Sequence, residues 1–266
     1  MFSVEEIRKD FPMLQNNPGL IYFDSGATSL KPQSVIDAVN HYYLYETANV
    51  HRGDYPIAFA ATNKYDAVRK KAADFLGAKE SEIIYTKGDT DGLNMLALTF
   101  GKKVIEEGDV ILTTEVEHAS SILPYFKVAE EKKARIEYIP LGKEGEVLLD
   151  EYEKCFTDKV KLVVVTQVSN VLGHINPIKE MSEIAHAHGA YILVDGAQSV
   201  PHIPVNVRDL GCDFLACSSH KMLGPGGAGI LYGREELLKD LQPLYYGGDS
   251  NARFDKIGRA SCRERV

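Results

Sequence analysis

Two short runs constrain this chain more than anything else in it. Residues 161–167 contain Leu162-Val163-Val164-Val165, and residues 190–194 contain Tyr191-Ile192-Leu193-Val194. Side chains at consecutive positions of a strand point to opposite faces of a sheet, so runs like these demand cover on both faces. Further apolar stretches stand at 82–86, 109–113, 135–139, 213–217 and 229–232. Helical patterns at 89–106, 119–133, 148–156 and 177–188 separate most of them. The alternation predicts an α/β fold, a mostly parallel sheet with helices on both faces. Ahead of it, residues 3–10 read as a short amphipathic helix, 20–23 as a short strand, 32–46 as a helix and 47–55 as a loop. Residues 56–76 read as a long helix with an apolar stripe of Ala61, Tyr65, Val68, Ala72, Phe75 and Leu76, closed by Gly77.

A length of 266 residues suits one large α/β domain or two smaller ones. The net charge of -8, with no basic block before the extreme C-terminus, argues against a nucleic-acid partner. No run is long enough to span a bilayer, and the first residues carry no basic-then-apolar signal pattern, so no membrane is expected and the cytoplasm is the expected compartment. The four cysteines (Cys155, Cys212, Cys217 and Cys262) show neither CxxC nor metal spacing and no activating neighbour. His186 and His188, two apart on a helix, point different ways, so no metal site is expected.

Ligands of such sheets bind beyond the carboxyl ends of the strands. Five strand ends here carry chemistry: Gly88-Asp89-Thr90, Glu117-His118, Ser169-Asn170, Asp195-Gly196-Ala197-Gln198 and Ser218-Ser219-His220-Lys221. Lys221 stands where an apolar strand gives way to a tight turn. An amine held against apolar walls loses solvation and becomes a nucleophile for carbonyl carbons. Asp195 ends an apolar strand; buried, it needs a cation, a cluster of donors or water. Read alone it serves equally as a helix cap. Gly88-Asp89-Thr90 opens a helix, where free N–H groups and a hydroxyl suit a phosphate, although read alone it is simple capping. His118 and Asn170, read alone, are a structural histidine and a turn residue.

Together these groups fit pyridoxal 5′-phosphate. That cofactor needs a lysine to form an imine with its aldehyde, an acid at the ring nitrogen, a phosphate cup and a flat group over the ring. Lys221, Asp195, the 88–90 helix start and His118 fill those roles. The glycine run at 224–229 precedes a strand rather than opening a helix, so it is no dinucleotide fingerprint, and no G-x-x-x-x-G-K-[ST] is present.

The segments Tyr22-Phe23-Asp24-Ser25-Gly26-Ala27-Thr28, Ala48-Asn49-Val50-His51-Arg52-Gly53, Glu117-His118, Val168-Ser169-Asn170-Val171-Leu172-Gly173, Val194-Asp195-Gly196-Ala197-Gln198 and Ser218-Ser219-His220-Lys221 carry a resemblance. The chain resembles class V aminotransferase-fold proteins, and among them group II cysteine desulfurases, selenocysteine lyase-like members included. The resemblance covers about residues 20 to 250. It implies a fold type I large domain over 20–256, behind an N-terminal segment 1–19. It implies that Lys221 binds the cofactor and moves protons at the substrate Cα, that His118 stacks on the ring, that Asp195 pairs with the ring nitrogen and that Gln198 pairs with the ring hydroxyl. Thr90, Ser218 and His220 would hold the phosphate with the backbone at Asp89. Asn170 would meet the substrate carboxylate or the cofactor hydroxyl, and Ala27, His51 and Arg52 would face the substrate. The implied reaction takes L-cysteine to L-alanine and leaves sulfur on an enzyme cysteine, for iron–sulfur cluster assembly or another sulfur-acceptor protein, in a homodimer. A selenocysteine lyase, another C–S lyase or an aminotransferase of the same fold stays open, as does a cofactor-binding fragment without turnover.

The chain departs from that pattern in three places. Asp89 stands where the family often has Thr or Ala. Against the family's pattern, the small domain that carries the sulfur-accepting cysteine and the carboxylate-gripping arginine is expected to be lacking here, as is the threonine that a partner subunit brings to the phosphate. A C-terminally truncated chain with poor or no turnover is the expectation. Residues 257–266, abruptly basic and without apolar period, resemble the in-frame translation of a sequencing adapter and are expected to be a non-native tail.

Overall fold

The computed structural model describes residues 3–246, together with one backbone pairing of Arg253–Phe254 with Ala260–Ser261. The expected domain boundary at 256, Cys262 and the rest of the 257–266 segment apart from Ala260–Ser261 lie outside the described residues.

Seven strands form the main sheet: β1 (Ile83–Thr86), β2 (Val110–Thr113), β3 (Arg135–Tyr138), β4 (Val160–Thr166), β5 (Tyr191–Asp195), β6 (Phe214–Ser218) and β7 (Gly229–Gly233). Their order is β1-β7-β6-β5-β4-β2-β3. The pairs β2–β3, β2–β4, β4–β5 and β5–β6 are parallel, and β7 runs against both of its neighbours. Six strands therefore share one direction, as the doubly apolar runs predict. In β4, Leu162 and Val164 enter one core with Leu93, Phe100, Tyr125, Leu193 and Phe214. Val163 and Val165 enter the other with Leu76, Met181, Ile192, Val194 and Tyr232. All four β4 side chains are fully buried, and each contributes about 1.5–3 kcal/mol relative to exposure.

Among the helices preceding most of the sheet are α1 (Val4–Lys9), α2 (Pro12–Asn16), α3 (Gln33–His41), α4 (Pro56–Leu76) and α5 (Asp89–Leu96). Gly77 ends α4 in the left-handed conformation, φ 70°. No helix among the described residues is long and apolar enough to cross a membrane.

Three expectations need correction. Residues 20–23 form no strand: Ile21 and Phe23 are exposed, and the Tyr22 hydroxyl donates to the Thr28 carbonyl instead. No described strand pairs with this segment, and an apolar run left unpaired stays extended coil. The expected helix at 89–106 is continuous in path but broken in winding, α5 passing through a π-turn, Ala97–Gly101, into Lys102–Val104; α3 likewise runs into a π-turn, Tyr42–Glu46. Finally, α4 buries Ala58, Ala61, Ala72, Ala73 and Leu76, while Tyr65, Val68 and Phe75 of the expected stripe are 37%, 52% and 61% exposed. Four alanines and Leu76 make the buried face of α4, and Tyr65, Val68 and Phe75 turn outward.

Candidate active site

The carboxyl ends of β4, β5 and β6, with the turn after β1, open into one cavity of about 600 Å³. Ala27, Asp89, Thr90, His118, Asn170, Asp195, Gln198, Ser218, His220 and Lys221 all line it. Ten of the twelve residues named from the sequence thus meet in one place. His51 and Arg52 are not among the lining residues; His51 Nε2 lies 3.0 Å from Asp66 Oδ1 on α4.

Parallel pairing sets the spacing of the two central groups. Asp195 of β5 sits in register with Ala216 of β6, and five residues on Lys221 ends a single 3₁₀ turn, Ser219–Lys221. The turn is clamped from outside: the His220 carbonyl accepts from Ser29 N (3.0 Å), Ser29 Oγ (3.0 Å), Thr28 Oγ1 (3.2 Å) and Lys31 Nζ (2.7 Å). Burial lowers the Lys31 pKa. Burial, then the charges of Lys221 and Lys31, lower that of His220, which favours its neutral imidazole.

Asp195 is 3% exposed. Its Oδ1 accepts from Ala197 N (2.9 Å) and its Oδ2 from Ser121 Oγ. Among the described residues no cation forms an ion pair with it, so the donor cluster is the solution the structure uses. Glu117 stands behind it. Its Oε1 accepts from Thr114 Oγ1 (2.8 Å), whereas Oε2 is buried without a partner. Burial pushes the Glu117 carboxyl up to about 8, with the Thr114 hydrogen bond and the Thr166 backbone opposing and the Asp195 charge adding.

The first turn of α5 forms the opposite corner. Gly88 has φ 150°, and a Cβ there would lie 3.2 Å from Ser218 Oγ. A Cβ on Gly229 would lie 2.6 Å from Gly88 Cα, so β7 and this turn approach backbone to backbone. The Asp89 N–H, expected to face a phosphate, donates instead to Ser218 Oγ (2.7 Å). Thr90 is exposed to the cavity. His118 caps the helix Ala119–Lys132, its Nδ1 2.6 Å from Ser120 Oγ. Gln198 Nε2 donates to the Gly26 carbonyl (2.7 Å).

Sequence reading missed Ser121 and the Thr28–Ser29–Lys31 clamp, and gave Glu117, named with His118 at a strand end, no role of its own. Ser121 had a signal: it falls on the same face as Ile122, Tyr125 and Val128, and a hydroxyl among buried apolar neighbours needs a partner. The clamp had none, since its bonds span about 190 positions.

The chemistry of the donors fits a phosphorylated aromatic cation with an aldehyde. A buried carboxylate with neutral donors alone suits a cationic ring nitrogen, and a lysine stands in the same cavity. Hydroxyls of Thr90 and Ser218 and the imidazole of His220 stand near the α5 start, where an anion is favoured.

Three cysteines are described, and none lines this cavity. Cys212 and Cys217 are buried, and burial pushes both thiols up to about 12; burial also raises Cys155. No group of three or more metal-ligating side chains occurs among the described residues.

The family model described as "Aminotransferase class-V" matches residues 21–265. A probable cysteine desulfurase of Halalkalibacterium halodurans is 45% identical over 251 residues, 93% of this chain and 62% of that protein. The solved apo cysteine desulfurase of Thermococcus onnurineus superposes with a TM-score of 0.92 at 42% identity, over 100% of this chain and 65% of that one. The Escherichia coli cysteine desulfurase CsdA, solved with an S-sulfonic acid, gives 0.90 at 33%, over 100% and 66%. The chain thus spans a little under two thirds of the length of each.

Proposed function

The chain belongs to the class-V aminotransferase family, and from that premise we propose that it carries the cofactor-binding part of a pyridoxal-phosphate cysteine desulfurase. The observation that carries this reading is the shared cavity of Lys221 and Asp195, on adjacent strand ends, with Asp195 held by Ser121 and Ala197 and by no cation among the described residues. The overall reaction is L-cysteine to L-alanine, with the sulfur passed to a thiol.

When bound, pyridoxal phosphate supplies a protonated ring that draws electrons from the carbon beside the substrate's amino group. The chain's own residues do the rest. Lys221 would hold the cofactor through its amine and would move a proton at the substrate Cα. Asp195 would hold the ring nitrogen. His118 would cover the ring, and Gln198 would hold the ring hydroxyl. Thr90, Ser218 and His220 would hold the phosphate, and Asn170 and Ala27 would border the substrate.

The sulfur-accepting thiol lies outside residues 3–246 in this reading, because none of Cys155, Cys212 and Cys217 lines the cavity and burial raises all three pKa values. A homodimer is supported by the apolar surface at Tyr43 (70% exposed), Leu44 (71%), Tyr45 (67%) and Phe59 (58%), which a monomer would leave in water.

Titration with pyridoxal phosphate should produce the absorbance band of a lysine-bound cofactor, lost in Lys221→Ala. No band in the wild-type chain removes the cofactor reading. Alanine release from L-cysteine by the protein extended to the length of its relatives tests the reaction; a cofactor-loaded protein that releases none from cysteine removes the desulfurase reading.

A further inference from the structure

The corner of the cavity suited to a phosphate has an acid built into it. Asp89 is 5% exposed, lines the cavity, and leaves its Oδ1 without a hydrogen-bond partner within the chain. Its own N–H is spent on Ser218 Oγ, so the corner's hydrogen-bonding capacity at this residue lies in the side chain. Asp195, Cys217 and Lys221 act on it electrostatically. His220, Asp24 and His118 line the same cavity, and Lys87 and Asp91 flank Asp89 on its own turn. Of these, Asp91 Oδ2 is engaged by Lys87 N. Burial first, then the Asp195 charge, hold the Asp89 carboxyl well above the usual carboxylate range, with Lys221 opposing. A phosphate placed beside an ionised Asp89 would add like charge where water cannot screen it.

We infer that Asp89 serves the phosphate as a neutral carboxylic acid, its O–H donating to a phosphate oxygen, so that a phosphate-bearing ligand is held in this cavity only together with a proton. The proton balance is the same whether the shared proton is assigned to the acid or to the phosphate. Above the pH at which free Asp89 ionises, one proton is taken from solvent for each ligand bound. The inference rests on the cofactor reading above.

Pyridoxine 5′-phosphate is the probe, because it lacks the aldehyde and leaves Lys221 chemistry out. Its affinity is measured calorimetrically from pH 6 to pH 9.5 for the wild type, Asp89→Asn and Asp89→Ala. Asparagine keeps a neutral donor of the same shape. At pH 6 it should match the wild type within about threefold, while alanine binds more weakly. By pH 9.5 the wild type should weaken at least about tenfold relative to Asp89→Asn. The ligand's own phosphate ionisation is common to both chains and cancels. Pyridoxine without phosphate should show no such divergence. Calorimetry of the wild type in buffers of different ionisation enthalpy needs no variant, and should show proton uptake at pH 9.5.

Parallel pH profiles for wild type and Asp89→Asn, tighter binding by both variants at pH 6, the same divergence with pyridoxine, or no proton uptake each overturns the inference. If pyridoxine phosphate binds none of the chains and the Lys221-dependent band is also missing, the cofactor reading fails with it. If the band forms normally, only the role of Asp89 fails.

Discussion

Ser121 Oγ donates to Asp195 Oδ2, joining the first turn of the helix Ala119–Lys132 to the end of β5, and both groups are buried. Together with the Ala197 N–H on Oδ1, this bond fixes the direction in which the carboxylate faces the cavity. Hydrogen bonds to charged groups are worth about 1.5–3 kcal/mol. Ser121→Ala should therefore lower the unfolding free energy by about 2 kcal/mol in urea and weaken pyridoxal phosphate retention on dialysis. An unchanged urea midpoint with full retention would show that Asp195 needs no help from Ser121.

Gly229 stands where β7 passes the turn after β1. A Cβ there would come within 2.6 Å of both Gly88 Cα and the Cys217 carbonyl, neither of which can rotate away. Gly229→Ala should cost about 1–3 kcal/mol, the usual range for overpacking. Gly226, in the preceding run, has open space for 4 Å around the point a Cβ would occupy and serves as the control. Equal urea midpoints for Gly229→Ala and Gly226→Ala would refute the close approach.

Much of this site was legible because each of its central residues ends an apolar run. Asp195 and Lys221 follow strands whose burial shows in consecutive apolar letters, and the carboxyl-end rule then puts them on one rim. The same logic placed Asp89, Thr90, Asn170 and Ser218. What could not be read is whatever depends on a distant partner. Tyr22 and Phe23 look like a strand until the segment is seen to pair with none of the described strands. Tyr65, Val68 and Phe75 look like a core stripe until the alanines of α4 are seen to take that place. Ser121 lies inside a helical pattern with no mark of its partner, and its bond to Asp195 spans 74 positions. His51 and Arg52 came from motif resemblance alone, and the fold of this chain puts His51 against Asp66 rather than in the cavity wall.

Glu117 makes a pH prediction with a defined sign. Its carboxyl is pushed up to about 8 in the folded chain, from an ordinary value of 4.5. Between those values the folded state keeps a proton that the unfolded state releases. Stability from this group is therefore present below about pH 4.5 and is lost as pH rises toward 8, by at most about 1.4 kcal/mol per pH unit. Glu117→Gln removes that titration while leaving an acceptor for Thr114. Its unfolding free energy should fall less steeply than that of the wild type from pH 5 to pH 8. Parallel curves for the two proteins would mean that Glu117 is ionised in the folded state like any surface acid.

The buried thiols give a test that needs no cofactor. Cys212 and Cys217 are buried within β6 and its approach, and burial pushes both up to about 12, so at pH 8 each is a neutral thiol closed off from reagents. Cys155 is only partly buried, its Sγ donating to the Glu151 carbonyl at 3.3 Å. In a Cys155→Ser/Cys262→Ser double variant, a disulfide reagent at pH 8 should release almost no chromophore from the native protein. Two equivalents should appear on unfolding in guanidinium. Prompt native labelling of either remaining cysteine would place a reactive thiol inside residues 3–246, and would reopen the assignment of the sulfur acceptor to a position outside them.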